Sequence, residues 1–253
     1  MKPNQLREAF KKKEVAITGW VAIGHPYSAE MMGHAGYDAV TVDLQHGPHY
    51  LDAALASLTA ISATPAMPMA RVSGNNFFEI NKLLDAGAYA LICPMIDSVE
   101  DAERFVSACR YPPSGTRSYG PTRGFLYGGD DYFEHANDTI VTYGMIETPA
   151  GVAAVDKIAA VEGLDGLFIG PADLSLALGV SPKPNWKQDP LKSAIERIRD
   201  AAHNAGKMAG VFCISVEMAT DMKALGFDFL NYGVDSMLIK AGASAGVEAI
   251  RKA

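Results

Sequence analysis

Apolar runs of strand length alternate with segments of helical spacing along the whole chain. Segments such as LDAALASLTAI and FFEINKLLDAG repeat their apolar residues every three or four positions, as amphipathic helices do. The continuous apolar runs between such segments predict buried parallel strands, since a parallel sheet is covered by helices on both faces. Eight strands are predicted, at 16–24, 39–45, 66–72, 90–96, 140–147, 166–170, 208–214 and 227–234.

Eight strand-and-helix units in 253 residues predict an α/β fold, a closed (β/α)8 TIM barrel forming a single domain over 1–253. An open doubly wound sheet is disfavoured because no G-x-G-x-x-G follows the first strand. Two connections rich in Gly and Pro, at 111–138 and 171–190, are long for a compact domain. Both are predicted to follow strands, and therefore to lie at the face where barrel enzymes carry their active sites.

Composition narrows the function classes. The chain is 49% apolar, enough for a large core, and its net charge of −7 disfavours a nucleic-acid surface. The charged N-terminus has no apolar centre, and no run approaches the roughly 20 apolar residues of a membrane span, so we expect neither secretion nor membrane insertion. Cys93, Cys109 and Cys213 are an odd number without metal-ligand spacing, which predicts reduced, buried thiols and a cytoplasmic protein.

Polar side chains cluster at the C-terminal ends of the predicted strands, the rim that carries chemistry in such barrels. Predicted strands four, seven and eight contribute little that ionises, and no lysine falls at a strand end, so a Schiff-base mechanism has no obvious nucleophile. The rim candidates, in chain order, are Trp20, Asp43, Gln45, His46, Arg71, Glu147 and Asp173.

Glu147 and Asp173 come from neighbouring strands and could place two carboxylates on one ion. Oxygen ligands suit Mg²⁺ or Mn²⁺, and two of them leave positions for water and a chelating substrate. The alternative is structural, because each residue also precedes a predicted helix and could cap its N-terminus.

Arg71, Asp43 and His46 are candidates for binding and proton transfer. The Arg71 guanidinium could hold a carboxylate or a developing oxyanion, or it could form an ion pair with Asp43 or Glu147. His46 follows Asp43 by three residues, so Asp43 could orient the imidazole as a base, although His46 could equally be a structural hydrogen-bonding group.

The motifs together resemble the HpcH/HpaI aldolases, the metal-dependent class II pyruvate aldolases. Nearly the whole chain takes part in the resemblance, and GPADLS after a strand, with an upstream IET and RYPPxGxR, is a specific combination. The motifs in the family's order are VDLQHGPH at 42–49, MARV at 69–72, RYPPSGTRSYG at 110–120, MIETPAG at 145–151, GLDGLFIGPADLS at 163–175 and GVD at 233–235.

The resemblance implies a role for each candidate. Glu147 and Asp173 are expected to hold a divalent cation, Mg²⁺, Mn²⁺ or Co²⁺, and His46 with Asp43 to form the acid/base dyad. Arg71 is expected at the pyruvyl oxygen. The resemblance places Trp20 in the pocket wall and the backbone of Ala172 and Asp173 at the pyruvate carboxylate, and it suggests a hexamer, a trimer of dimers, with exchanged C-terminal helices.

The chain departs from familiar members of the family at three places. Gln45 stands where they have Glu, Met145 where they have Gln, and Arg123 is the candidate for an aldehyde-binding arginine that they place differently. We expect reversible aldol cleavage of a 4-hydroxy-2-oxo acid to pyruvate and an aldehyde. The alternatives are a CoA-ester lyase on the same barrel and a non-catalytic barrel that binds a 2-oxo acid.

Overall fold

Eight parallel strands close into a barrel in the computed structural model, which describes residues 1–181, 183 and 185–253. The strands pair in chain order, and the last closes on the first. Every predicted apolar run contains one of them, so the predicted barrel is confirmed. The strands are β1 Ala16–Val21, β2 Ala39–Asp43, β3 Met67–Arg71, β4 Ala90–Cys93, β5 Val141–Ile146, β6 Gly166–Ile169, β7 Met208–Cys213 and β8 Phe229–Val234.

Helices surround the barrel, and polar caps fix where several begin. The side chains of Asn4, Asn76, Ser98, Thr148 and Ser215 accept hydrogen bonds from first-turn N–H groups that lack a partner within the helix. The helices in the described part of the chain are α1 Gln5–Lys12, α2 Pro26–Gly33, α3 Leu51–Ser62, α4 Phe77–Asp85, α5 Val99–Cys109, α6 Thr122–Gly128, α7 Tyr132–Thr139, α8 Pro149–Ala159, α9 Pro171–Ala177, α10 Leu191–Asn204, α11 Val216–Ala224 and α12 Asp235–Lys252.

The inside of the barrel is a packed core. The Tyr143 ring stacks on Phe229 with centroids 5.1 Å apart, and the hydroxyl oxygens of Thr18 and Thr41 lie 2.9 Å apart between β1 and β2. Such side-chain layers leave no channel through a barrel of eight strands. A ligand can therefore reach the barrel strands only at their ends.

Helix α1 closes the N-terminal end of the barrel. The Asn4 amide donates to the carbonyls of Tyr89 and Thr139 at 2.8 and 3.0 Å. Asp165 forms ion pairs with Arg7 at 2.8 Å and with Arg110 at 2.9 Å. This end is occupied by the chain's own groups, which leaves the C-terminal rim for a site.

The first long connection lies at the N-terminal face, so its predicted placement at the active-site face is wrong. It follows α5 and leads into β5, and it contains α6 and α7. Its Arg117 is buried, paired with Asp85 at 2.9 Å and placed over the Tyr111 ring at 4.4 Å. The second connection follows β6 and lies at the C-terminal rim as predicted, although its positions 182 and 184 lie outside the described residues.

Helix α12 is exposed along almost its whole length. Asp235 is its one residue classed as buried, while Met237, Ile239 and Ile250 are 62, 61 and 78% exposed. Within the described ranges, no helix combines the length and apolarity needed to cross a membrane.

Candidate active site

A buried ion pair joins the ends of β2 and β3. Asp43 and Arg71 are register partners in the two strands, so both side chains rise at the same level of the rim. The guanidinium donates from Nε to Oδ1 at 2.8 Å and from Nη2 to Oδ2 at 2.6 Å, a bidentate arrangement. Burial favours a higher pKa for Asp43, but the Arg71 hydrogen bonds and charge and the Gln45 N–H outweigh it and hold that pKa below its usual value.

The carboxylate of Asp43 does not reach the imidazole of His46. It accepts hydrogen bonds from the backbone N–H groups of Gln45 and His46 at 3.1 and 3.4 Å, and both of its oxygens accept hydrogen bonds from Arg71. The expectation that Asp43 fixes the His46 tautomer by direct contact is therefore corrected: Asp43 positions the backbone of the loop that carries His46. The His46 side chain is exposed at this rim and open to a substrate.

Trp20 forms part of the floor beneath Arg71. The guanidinium carbon lies 5.0 Å from the centre of the indole ring, within the range of a cation–π contact. The indole is 1% exposed and packs edge-on against Phe212 at 5.3 Å. Trp20 thus supports Arg71 from below, and its place in the wall of the pocket stays a prediction.

Glu147 is a buried carboxylate with one free oxygen. Its Oε1 accepts the backbone N–H of Met95 at 2.9 Å, while its buried Oε2 has no partner in the described chain. Burial is the main reason that its pKa is raised to about 7; the Met95 N–H opposes this, and the charge of Asp173 adds to it. The N-cap of α8 is Thr148, so the alternative that Glu147 caps this helix is wrong.

Gly170 and Met95 give Glu147 its place, and sequence reasoning assigned neither of them this role. A Cβ at Gly170 would lie 2.4 Å from Glu147 Oε2, so a side chain at position 170 would force the carboxylate out of its present position. Met95 adopts a left-handed backbone with φ of 56°, rare for a residue with a side chain, and this conformation accompanies the hydrogen bond from its N–H to Glu147. The glycine before PAD was a visible signal, but nothing in the sequence marks Met95.

Asp173 and Ala172 lie exposed in the first turn of α9, next along the rim from Glu147. Asp173 makes no capping hydrogen bond to this helix, and its charge raises the pKa of Glu147, so the two carboxylates share one region. The described residues include no group of three or more His, Cys, Asp or Glu arranged for a metal ion. A pair of carboxylates, one with a buried free oxygen, fits a hard divalent cation that completes its shell with water and substrate.

The structure does not bring Arg123 to the rim. Its guanidinium donates to the Ala86 carbonyl at 3.0 Å and to the Ser62 hydroxyl at 3.1 Å, at the C-terminal ends of α4 and α3. Those helix ends precede β4 and β3 and therefore lie at the N-terminal face of the barrel. The expectation that Arg123 binds the aldehyde in the chain's own pocket is therefore wrong. The connection that carries Arg123 lies at the N-terminal face of the barrel, away from the rim.

Asp235, directly after β8, is a further acidic residue at the rim. The prediction that the eighth strand contributes little that ionises did not include it. The Asp235 carboxylate is buried and accepts the N–H of Ala22 at 2.9 Å and the Ser28 hydroxyl at 2.7 Å. It therefore ties the loop after β1 to the end of β8 and holds the rim closed on that side.

Comparisons with known proteins identify relatives of the chain. The family model described as HpcH/HpaI aldolase/citrate lyase matches residues 17–241. A hydroxypyruvate/pyruvate aldolase of Rhizorhabdus wittichii is 39% identical, with 95% of this chain and 96% of the relative covered. A 4-hydroxy-2-oxo-heptane-1,7-dioate aldolase of Salmonella dublin is 34% identical over 96% of this chain and 92% of its own length. Among solved structures, an HpcH/HpaI aldolase/citrate lyase family protein of Burkholderia cenocepacia J2315 superposes with a TM-score of 0.90 at 28% identity, covering 98% of this chain and 99% of that one.

Proposed function

Because the chain belongs to the HpcH/HpaI aldolase/citrate lyase family and is an aldolase, a carbon–carbon lyase, we propose that it cleaves a 4-hydroxy-2-oxo acid reversibly to pyruvate and an aldehyde, with a divalent cation. One observation carries the proposal: the buried Glu147, with its unpaired Oε2, shares the rim with the Asp43–Arg71 pair. This is an acidic pocket for a cation beside a fixed positive charge for an oxyanion.

Glu147 and Asp173 would hold Mg²⁺, Mn²⁺ or Co²⁺, which supplies Lewis-acid stabilisation of the pyruvate enolate. The first-turn N–H groups at Ala172 and Asp173 are available to the substrate carboxylate. Arg71 donates to Asp43 from Nε and Nη2, and its Nη1 makes no hydrogen bond to the described chain. Nη1 can therefore contact the enolate oxygen.

His46 acts as the base in the cleavage direction. Its exposed imidazole takes the proton of the C4 hydroxyl, the C3–C4 bond breaks, and the electron pair of that bond passes into the enolate of pyruvate. The former C4 carbon leaves as the aldehyde, and the proton that His46 took from the C4 hydroxyl passes to C3 of the enolate, which gives pyruvate.

A coupled assay of pyruvate release from a 4-hydroxy-2-oxo acid tests the function. We expect EDTA to abolish cleavage and Mn²⁺ or Co²⁺ to restore it, and His46→Ala to lose turnover. Full activity after thorough chelation would remove the cation from the mechanism. Unchanged activity of His46→Ala would remove the base, and the lack of any cleavage would favour a barrel that only binds a 2-oxo acid. No observation favours a CoA-ester lyase.

We also propose that the protein works as a cytoplasmic homo-oligomer, a hexamer with exchanged C-terminal helices. The exposed apolar residues of α12 support the helix exchange, and the three buried free cysteines support a reducing compartment. Sedimentation of Ile239→Asp beside the unmodified chain tests the assembly, and an unchanged sedimentation coefficient would argue against exchange through this helix.

A further inference from the structure

The loop between β4 and α5 is fastened to the end of β5. The N–H of Met95 donates to Glu147 Oε1 at 2.9 Å, and the N–H of the next residue, Ile96, donates to the Met145 carbonyl at 3.0 Å. The Ile96 side chain is buried, whereas that of Met95 is exposed. The loop thus gives the candidate site a backbone N–H, and contacts that fix the loop also act on the Glu147 carboxylate.

The Thr148 hydroxyl adds a further contact between this loop and the end of β5. It accepts a hydrogen bond from the N–H of Gly151 at 3.0 Å, which caps the N-terminus of α8, and it donates to Asp97 Oδ1 at 2.5 Å. A cap needs only the acceptor, so the bond to Asp97 is a second use of the same hydroxyl. Thr148 lies in the MIETPAG motif and has no part in the proposed cleavage.

The backbone of Met95 needs support from such contacts. Its φ of 56° lies in the left-handed region, which a residue with a side chain rarely adopts, and a conformation of this kind persists where the surrounding contacts over-determine it. Before Met95, the ring of Pro94 fixes its own φ. After Met95, Ile96 is buried, and Asp97, which carries the one polar side chain of residues 94–97, is bonded to Thr148.

We propose that Thr148 is a positioning residue of the candidate active site. Through Asp97 it keeps Met95 in the left-handed conformation, and the Met95 N–H in turn orients the carboxylate of Glu147. The inference rests on the proposed function, in which Glu147 holds the cation. It assigns two uses to one hydroxyl, capping α8 and fixing the loop after β4, and variants can separate the two.

The first test uses the metal-free protein. Hydrogen exchange of the Met95 amide, followed by NMR, reports its bond to Glu147. We expect exchange at least about tenfold faster in Thr148→Val, which lacks the hydroxyl, and within about threefold of the unmodified protein in Thr148→Ser, which keeps it. Ser215→Ala removes the equivalent cap of α11 and is the matched control, in which the Met95 amide should exchange at its normal rate. A normal rate in Thr148→Val would overturn the inference.

A second variant leaves the cap of α8 intact. Asp97→Ala removes the same hydrogen bond from the side of the acceptor, so it should accelerate exchange of the Met95 amide as much as Thr148→Val does. Asp97→Asn keeps an oxygen that accepts from the hydroxyl and should leave the rate close to normal. A normal rate in Asp97→Ala would assign the effect of Thr148→Val to the cap alone and would overturn the inference.

Mn²⁺ binding, measured by EPR, connects the loop to the site. The Kd should rise at least about tenfold in Thr148→Val, as is typical when a group that orients a metal ligand is lost, and should stay near normal in Thr148→Ser and Ser215→Ala. An unchanged Kd in Thr148→Val would overturn the inference and leave the proposed function standing. If the unmodified protein binds no Mn²⁺, the proposed cation fails and the inference fails with it.

Met95→Gly tests whether backbone strain is the connection. Glycine adopts a positive φ without strain, so the hydroxyl should matter less in its presence. Adding Thr148→Val to Met95→Gly should raise the Kd for Mn²⁺ by less than about threefold, against the tenfold rise expected with methionine at position 95. An undiminished rise would show that Thr148 acts on the site by another route, contrary to the inference.

Discussion

The raised pKa of Glu147 makes the stability of the metal-free protein depend on pH in a predictable direction. Its ordinary value is 4.5, and burial, its largest cause, raises it to about 7 in the folded chain. Between those values only the folded chain keeps the proton, so stability falls as pH rises through this window. At about 1.4 kcal/mol for each pH unit, the full loss above pH 7 is roughly 3 kcal/mol.

Replacing Glu147 by Gln removes this titration and keeps a carbonyl that accepts the Met95 N–H. We therefore expect metal-free Glu147→Gln to match the unmodified protein near pH 4.5 and to exceed its free energy of unfolding by up to about 3 kcal/mol at pH 8. Urea denaturation in EDTA, at equal protein concentrations over this pH range, measures the difference. Glu134→Gln, an exposed carboxylate on α7, is the control and should show no such trend.

Mn²⁺ should remove most of this difference in stability at pH 8. A cation needs the ionised carboxylate, so at pH 8 and 100 times its Kd it should stabilise the unmodified protein by about 2.7 kcal/mol and Glu147→Gln much less. A metal-free Glu147→Gln that is less stable than the unmodified protein at pH 8 would refute the reasoning, because the buried charge would then be stabilising in its own right.

Three further changes test the rim. Arg71→Ala should lower turnover about 10²–10³-fold in the pyruvate-release assay and destabilise the fold by about 3–5 kcal/mol in urea, because Asp43 is left buried without its partner; turnover within tenfold of normal would contradict this. Gly170→Ala should weaken Mn²⁺ binding measured by EPR, since its Cβ displaces Glu147 Oε2, and unchanged affinity would contradict the close approach. Met95→Val should weaken Mn²⁺ binding at least about tenfold, because a β-branched residue resists a positive φ, whereas Met95→Gly should retain the binding. Equal affinities of the two variants would show that the backbone conformation of Met95 does not affect Mn²⁺ binding.

The barrel was predictable because its strands are continuous apolar runs. A strand that is apolar on both faces is buried when helices cover both faces of a parallel sheet. The error over 111–138 has a physical origin as well. The helices α6 and α7 are short, seven and eight residues, and contain Gly and polar residues that hide a helical period. Without them, the segment resembled a loop after a strand, although α5 directly precedes it.

Local sequence distance misled the interpretation of Asp43. His46 is three residues away and Arg71 is twenty-eight, but strand register sets Arg71 beside Asp43 and turns the loop so that only the backbone of His46 reaches the carboxylate. Which residues of two parallel strands lie side by side depends on the register of the strands, and a single sequence does not specify that register. The left-handed backbone of Met95 was equally hidden, because methionine has no preference for that conformation.

The carboxylates at the two ends of the barrel have different partners, and this difference bears on the proposed cation. At the N-terminal face Asp165 has two arginine partners, Arg7 and Arg110, so its charge is neutralised within the chain. At the rim Arg71 is already paired with Asp43. Its charge favours ionisation of Glu147, but the charges of Asp173 and Asp97 oppose it, and the one hydrogen bond to Glu147 from the described residues comes from the N–H of Met95. A fold selected for stability alone would not leave such a carboxylate unpaired. The lack of a cationic partner for Glu147 among the described residues is thus a property of the chain itself, and the proposed dication would supply that partner.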